Sequence, residues 1–154
     1  MTATDTVTVS IDVAVDPDTA FDVFTNEIDS WYQRGPHSWM HPDRAVAIRF
    51  EPGVGGRLLE VHDAETGEGF AFGQVLAWEP GARLVFADLV SSAPPDPLTE
   101  VEVRFEAAGE GTRVTLEHRG LDRLPPDVAA QKRMYGWQTT LRWFEDHMRK
   151  ETPR

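Results

Sequence analysis

Val101-Glu102-Val103-Arg104-Phe105, then Gly109-Glu110-Gly111, then Val114-Thr115-Leu116-Glu117 is the stretch on which the fold turns. Apolar and polar residues alternate in both runs, and a period of two puts one set of side chains on each face of a strand. The connection is long enough only for a hairpin, so the two strands run antiparallel. The pattern repeats upstream. Val46-Ala47-Ile48-Arg49-Phe50 alternates and stops at Pro52-Gly53. Arg57 to His62 follows Gly55-Gly56 and ends at Glu65-Thr66-Gly67. Phe70 to Trp78 ends at Glu79-Pro80-Gly81, where Pro and Gly suit a type I or II turn, and Leu84-Val85-Phe86 follows. Short connections throughout predict an antiparallel series of strands.

The flanks differ in period. Val7 to Val15 alternates, with Val7, Val9, Ile11, Val13 and Val15 inward, which predicts a first strand. Asp16-Pro17 ends it and suits the N-cap and first turn of a helix. Ala20, Phe21, Phe24 and Ile28 follow at helical spacing, closed by Trp31 and Tyr32. Arg34 to Arg44 holds Gly35-Pro36 and His41-Pro42, so it reads as a loop carrying Trp39 and Met40. Pro125-Pro126-Asp127 opens a helix expected to run to about Arg149, with Met134, Trp137, Leu141, Phe144 and Met148 on one face. The sum is an α+β domain in which a long final helix can fill a curved antiparallel sheet.

Composition removes several function classes. The chain has 154 residues, 40% hydrophobic and 27% charged, which suits one globular domain spanning residues 1–154. With 26 acidic against 15 basic residues the net charge is −11, so neither nucleic acid nor an anionic membrane is an expected partner. The absence of cysteine excludes disulfides, a thiol nucleophile and thiolate metal sites. No apolar run approaches a membrane span, and Met1 to Ser10 lacks the features of a secretory signal. Cytoplasm is the expected location.

Candidate chemistry is sparse. His37 and His41 are four apart, but Pro36 and Pro42 argue against a helix there, and no metal is expected. His118 shares the inward phase of Val114 and Leu116, as a hydrogen-bonded core histidine or a group that orients a ligand. His62 and Glu60 share a phase with Leu58, although Leu59 and Val61 dispute that register. Glu60, Glu102 and Glu117 are the carboxylates available for acid–base work, and a solvated sheet face is the expected place for them. No nucleophile elbow precedes or follows Ser91-Ser92, and Gly53-Val54-Gly55-Gly56 lacks the Lys-Ser/Thr of a phosphate loop.

Several segments together resemble one family. Glu51-Pro52-Gly53-Val54-Gly55-Gly56-Arg57 is similar to a turn of START-like proteins. Gly73 to Pro80 with Arg83-Leu84-Val85-Phe86 is similar to their next hairpin. Gly111 to Leu116, His118-Arg119-Gly120, Gly136-Trp137 and Leu141 resemble the closing strand and helix. The order holds over about residues 7–148, and the resemblance is to the SRPBCC (START/Bet v 1-like) superfamily, in the branch of heat-shock-protein-90 ATPase activator homologues. It implies a helix-grip fold: a seven-stranded antiparallel sheet around the C-terminal helix, with a cavity between them. It further implies binding of a small hydrophobic or aromatic molecule without obvious catalysis. The alternatives are a chaperone-contacting module and a cyclase or dehydratase with His118 or an inward carboxylate as acid–base. No catalytic residue and no cofactor are carried over. The cavity candidates are Trp31, Trp39, Phe72, Phe86, His118 and Trp137. Trp143, off the main helix stripe, is expected to cover the helix's second flank or to meet a second subunit in a homodimer.

Overall fold

A computed structural model of the chain describes residues 6–32, 45–88, 99–120 and 137–151. Strand β1 (Thr6–Val13) leads into helices α1 (Pro17–Asn26) and α2 (Ile28–Trp31). Six strands follow: β2 (Ala47–Phe50), β3 (Arg57–Val61), β4 (Gly69–Glu79), β5 (Arg83–Asp88), β6 (Thr99–Ala108) and β7 (Gly111–Arg119). Helix α3 (Trp137–Glu151) is last. The strands form one sheet in the order β1-β7-β6-β5-β4-β3-β2, antiparallel at every pairing. The sheet curls into a half-barrel around α3, the helix-grip arrangement. The start of the final helix expected at Pro125, and with it Met134, lies outside the described residues.

Local chemistry explains the boundaries. β1 stops at Val13, short of the expected Val15, because Val13 pairs with Thr112 and β7 supplies no partner before Gly111. Asp16 caps α1 through its carboxylate, which accepts from the Thr19 N–H at 3.4 Å, and Pro17 occupies the first turn. The helical run breaks at Glu27 (φ −113°, ψ 25°), so that α2 starts afresh and Asp29 accepts from the Ile48 N–H at 3.1 Å. Gly81 has φ +74° and the Ala82 N–H bonds to the Glu79 carbonyl, which makes this the type II form of the turn. Gly109 has φ +60° while Glu110 stays negative, the type II′ geometry that matches the twist of a tight hairpin.

The core lies between the inner face of the sheet and the helices. Leu84, Val101, Val103, Phe105, Val114 and Leu116 supply the sheet side. Ala20, Phe21 and Phe24 of α1 and Leu141, Phe144 and Met148 of α3 close over them. The stripe read at spacings of three and four is thus the buried stripe of α3 where it is described.

The outer face holds a correction. Glu102 does point away from the core, as its phase requires, but it is only 8% exposed instead of solvated. Its carboxylate accepts from Arg119 at 2.7 Å and from Arg83 at 3.3 Å, with Arg104 at 3.6 Å, and these long side chains cover it. Burial pushes the Glu102 carboxyl up, yet the hydrogen bonds from Arg119 and Arg83 outweigh it and hold the group below its ordinary value. A depressed carboxyl contributes stability above its unfolded pKa of 4.5 and loses it as pH falls through the folded value. Glu102→Gln should therefore cost roughly 1–2 kcal/mol at pH 7 by urea unfolding. The gap to wild type should close as the pH is taken well below 4.5. A gap that persists at full strength in acid would mean that charge plays no part.

Candidate functional site

Phe86, His118 and Trp137 come together at one end of α3. In the sheet, Phe86 pairs with Val101, and Val101 pairs with His118, so the three side chains stand side by side on the inner face. Trp137, in the first turn of α3, lies across the outer two. Its ring centroid is 6.4 Å from that of Phe86 and 5.9 Å from that of His118, both edge-on. His118 is 0% exposed. The Trp137 Nε1–H donates to His118 Nδ1 at 2.9 Å, and His118 Nε2 lies 2.9 Å from Thr99 Oγ1. An indole N–H can only donate, so Nδ1 is bare and the ring proton sits on Nε2, donating to the threonine hydroxyl. This fixes a neutral imidazole in one tautomer, both nitrogens engaged by protein groups.

Trp31 is elsewhere. It is buried beside Phe24 and Phe144, with ring centroids at 5.0 and 5.2 Å, and its Nε1–H reaches the Val23 and Phe24 carbonyls at 3.2 and 3.3 Å. The structure therefore assembles Phe86, His118 and Trp137 and leaves Trp31 in the packed region under α1. Trp39 and the Phe72 side chain lie outside the described residues, as do His37 and His41. Among the described residues no group of side chains could hold a metal ion.

A second cluster, around Glu60 and His62, was not among the cavity candidates. Glu60 alternates with Leu58 and pairs with Ile48, both core residues, so it faces inward and is 2% exposed. It is not on a solvated face. Leu59 and Val61 are buried too, on the opposite side of β3, which is why alternation could not settle this register. Glu60 Oε1 is 2.9 Å from His62 Nε2. Tyr32 stands near enough for the carboxylate to act on it: burial, with a further push from Glu60, raises the phenol to about 12. The Tyr32 ring meets Trp143 of α3 edge-on at 5.4 Å, so Trp143 covers the second flank of its own helix. The shared phase of Leu58, Glu60 and His62 was the available signal for this cluster.

Comparison with known proteins follows the same lines. Residues 14–149 match the family model described as "Activator of Hsp90 ATPase homolog 1-like protein". The chain belongs to that family. Two solved relatives share 31% identity with it. One is CalC from Micromonospora echinospora, a self-sacrificing resistance protein (TM-score 0.66, covering 98% of this chain and 99% of that one). The other is Txn09, an anthrahydroquino-gamma-pyrone synthase solved as a complex (TM-score 0.61, covering 92% and 95%). A protein from Nitrosomonas europaea shares the fold at 19% identity (TM-score 0.70, covering 98% of each chain). No curated protein sequence matches significantly. Among the described residues of this family member, no helix is long and apolar enough to cross a membrane.

Proposed function

We propose that the protein binds a small hydrophobic or aromatic molecule between the inner face of the sheet and α3. The observation that carries this reading is the state of four rings. Tyr32, Trp78, Trp137 and Trp143 all pack against the core, yet each keeps part of its surface exposed. Large amphipathic rings left half-covered offer surface that a flat apolar ligand can bury. The synthase and the resistance protein, each 31% identical over nearly the whole chain, support a small-molecule role. A second reading, cyclase- or dehydratase-type chemistry on the bound molecule, draws on the synthase alone.

The test uses N-phenyl-1-naphthylamine, a neutral probe, because a net charge of −11 would repel an anionic dye. Saturable quenching of tryptophan emission is expected. At roughly a hundredfold excess over Kd, binding should add about 2.7 kcal/mol and raise the Tm by several degrees. No saturation and no thermal shift up to the solubility limit of the probe would sink the reading. For the second reading, turnover that is lost on one inward polar substitution while binding persists would bring catalysis to the front.

A further inference from the structure

His118 is sealed from solvent, and both ring nitrogens face groups that constrain where its proton sits. The Trp137 Nε1–H donates to Nδ1, so Nδ1 stays bare while that bond exists. The Thr99 hydroxyl at Nε2 is more tolerant, because it can accept from Nε2–H in either charge state of the ring. An imidazolium carries a proton on both nitrogens. Its Nδ1–H would point at an indole N–H, two donors face to face, with Val7 and Val101 on the flanking strands. His118 can therefore take a second proton only when Trp137 moves away. The charged groups of the surrounding elements do not alter this. On β7, Glu117 and Arg119 alternate to the outer face, where Arg119 also holds Glu100 and Glu102 of β6. On β1, Asp12 pairs with Arg113, six positions along the ladder from His118's partner Val7 for Asp12's own partner to be reached. The charged residues of α3 begin at Arg142, an exposed side chain more than a turn beyond Trp137. Asp88 of β5 holds the place opposite Thr99, on the Nε2 side of the ring and away from the indole. A charge there would ease burial of the imidazolium but leave the two facing donors as they are.

We propose that the His118–Trp137 bond is an acid-sensitive latch on the first turn of α3: proton uptake by His118 holds Trp137 undocked and uncovers Phe86 beneath it. The latch goes beyond the binding reading above and does not depend on it. Here the proton is a ligand of the open state alone, so it shifts the population without having to break the closed bond directly. An imidazole freed into solvent titrates near its ordinary value of about 6.5. Above that pH the closed form keeps its full advantage. Below it the open fraction grows roughly tenfold for each pH unit, because the closed form binds one proton fewer. Trp137 keeps part of its surface exposed even when docked, whereas Leu141 and Phe144, farther along α3, are fully buried. Undocking the indole therefore uncovers less apolar area than lifting the helix would, and the opening can stay local.

Hydrogen exchange at the tryptophan indoles, followed by NMR, tests the latch, with Trp137 assigned by the peak that Trp137→Phe removes. Trp31 is the internal reference, since its indole N–H donates to the Val23 and Phe24 carbonyls, which do not titrate. After correction for the intrinsic rate, protection of the Trp137 indole should fall roughly eightfold from about pH 7 to about pH 5.5. Protection of Trp31 should stay level over the same range. His118→Gln, which cannot take a second proton, should flatten the Trp137 profile. If that variant does not fold, the imidazole nitrogen shifts of wild type decide instead. The change from the Nε2–H tautomer to the doubly protonated ring should then coincide with the loss of Trp137 protection. Level Trp137 protection down to about pH 5 would overturn the latch, as would a fall that persists in His118→Gln. A parallel fall at Trp31 would overturn it too, by showing that the whole molecule opens. So would a doubly protonated His118 beneath an indole that is still protected.

Discussion

Phe144→Ala should lower the free energy of unfolding by about 4 kcal/mol. Phe144 is 0% exposed, on the face of α3 that meets the first helices. Its ring lies 5.2 Å from those of both Phe24 and Trp31 in edge-on contacts. Truncation removes the transfer free energy of the ring and leaves a void that three separate elements would have to move to fill. Close packing of this kind relaxes only partly. Urea unfolding with an unchanged m-value is the measurement, and a loss under about 1.5 kcal/mol would show that α3 can settle into the gap.

Trp137→Ala should cost about 3 kcal/mol, less than the Phe144 change because the indole is only partly buried. Two terms add. The ring loses its contact with Phe86, and His118 Nδ1 is left buried without the indole donor. Trp137→Phe keeps most of the area and drops only the donor, so it should cost about 1–2 kcal/mol. His118→Leu strands the same bond from the other side. In a double-mutant cycle the two changes should therefore be non-additive by about 1 kcal/mol, and strict additivity would mean that the hydrogen bond contributes nothing.

Glu102 and Glu60 show how far alternation carries and where it stops. Period two correctly placed Glu102 opposite Val101 and Val103, but face is not exposure. Whether an outward carboxylate is wet depends on what leans over it, and here Arg83 and Arg119 reach it from the neighbouring strands. Glu60 failed for a different reason. Both faces of β3 are buried, so Leu59 and Val61 read as strongly inward as Leu58, and apolar residues on both phases cancel the signal. Trp31 and Trp137 were grouped together as cavity candidates; in the structure Trp31 lies beside Phe144 and Trp137 beside Phe86, about two helical turns apart along α3.

The seven strands, the capped helix after the first of them, the places of the turns at Gly81 and Gly109 and the apolar stripe of the final helix were determined by the sequence itself. Each depends on neighbours within a few residues: the pleat, the helical turn, the φ that Pro sets or Gly permits. The polar sites were decided only by the tertiary structure. His118 acquires its tautomer from Trp137 and Thr99, each nineteen positions away, and Tyr32 acquires its raised phenol in part from Glu60. Those partners meet because β6 pairs with β7, because α2 seats against β2 and β2 pairs with β3, and because α3 lies across the sheet. Local periodicity states which way a side chain points. It carries no information on which distant group will stand opposite, and at a buried polar atom that opposite group sets protonation, hydrogen bonding and the ligand chemistry the site can accept.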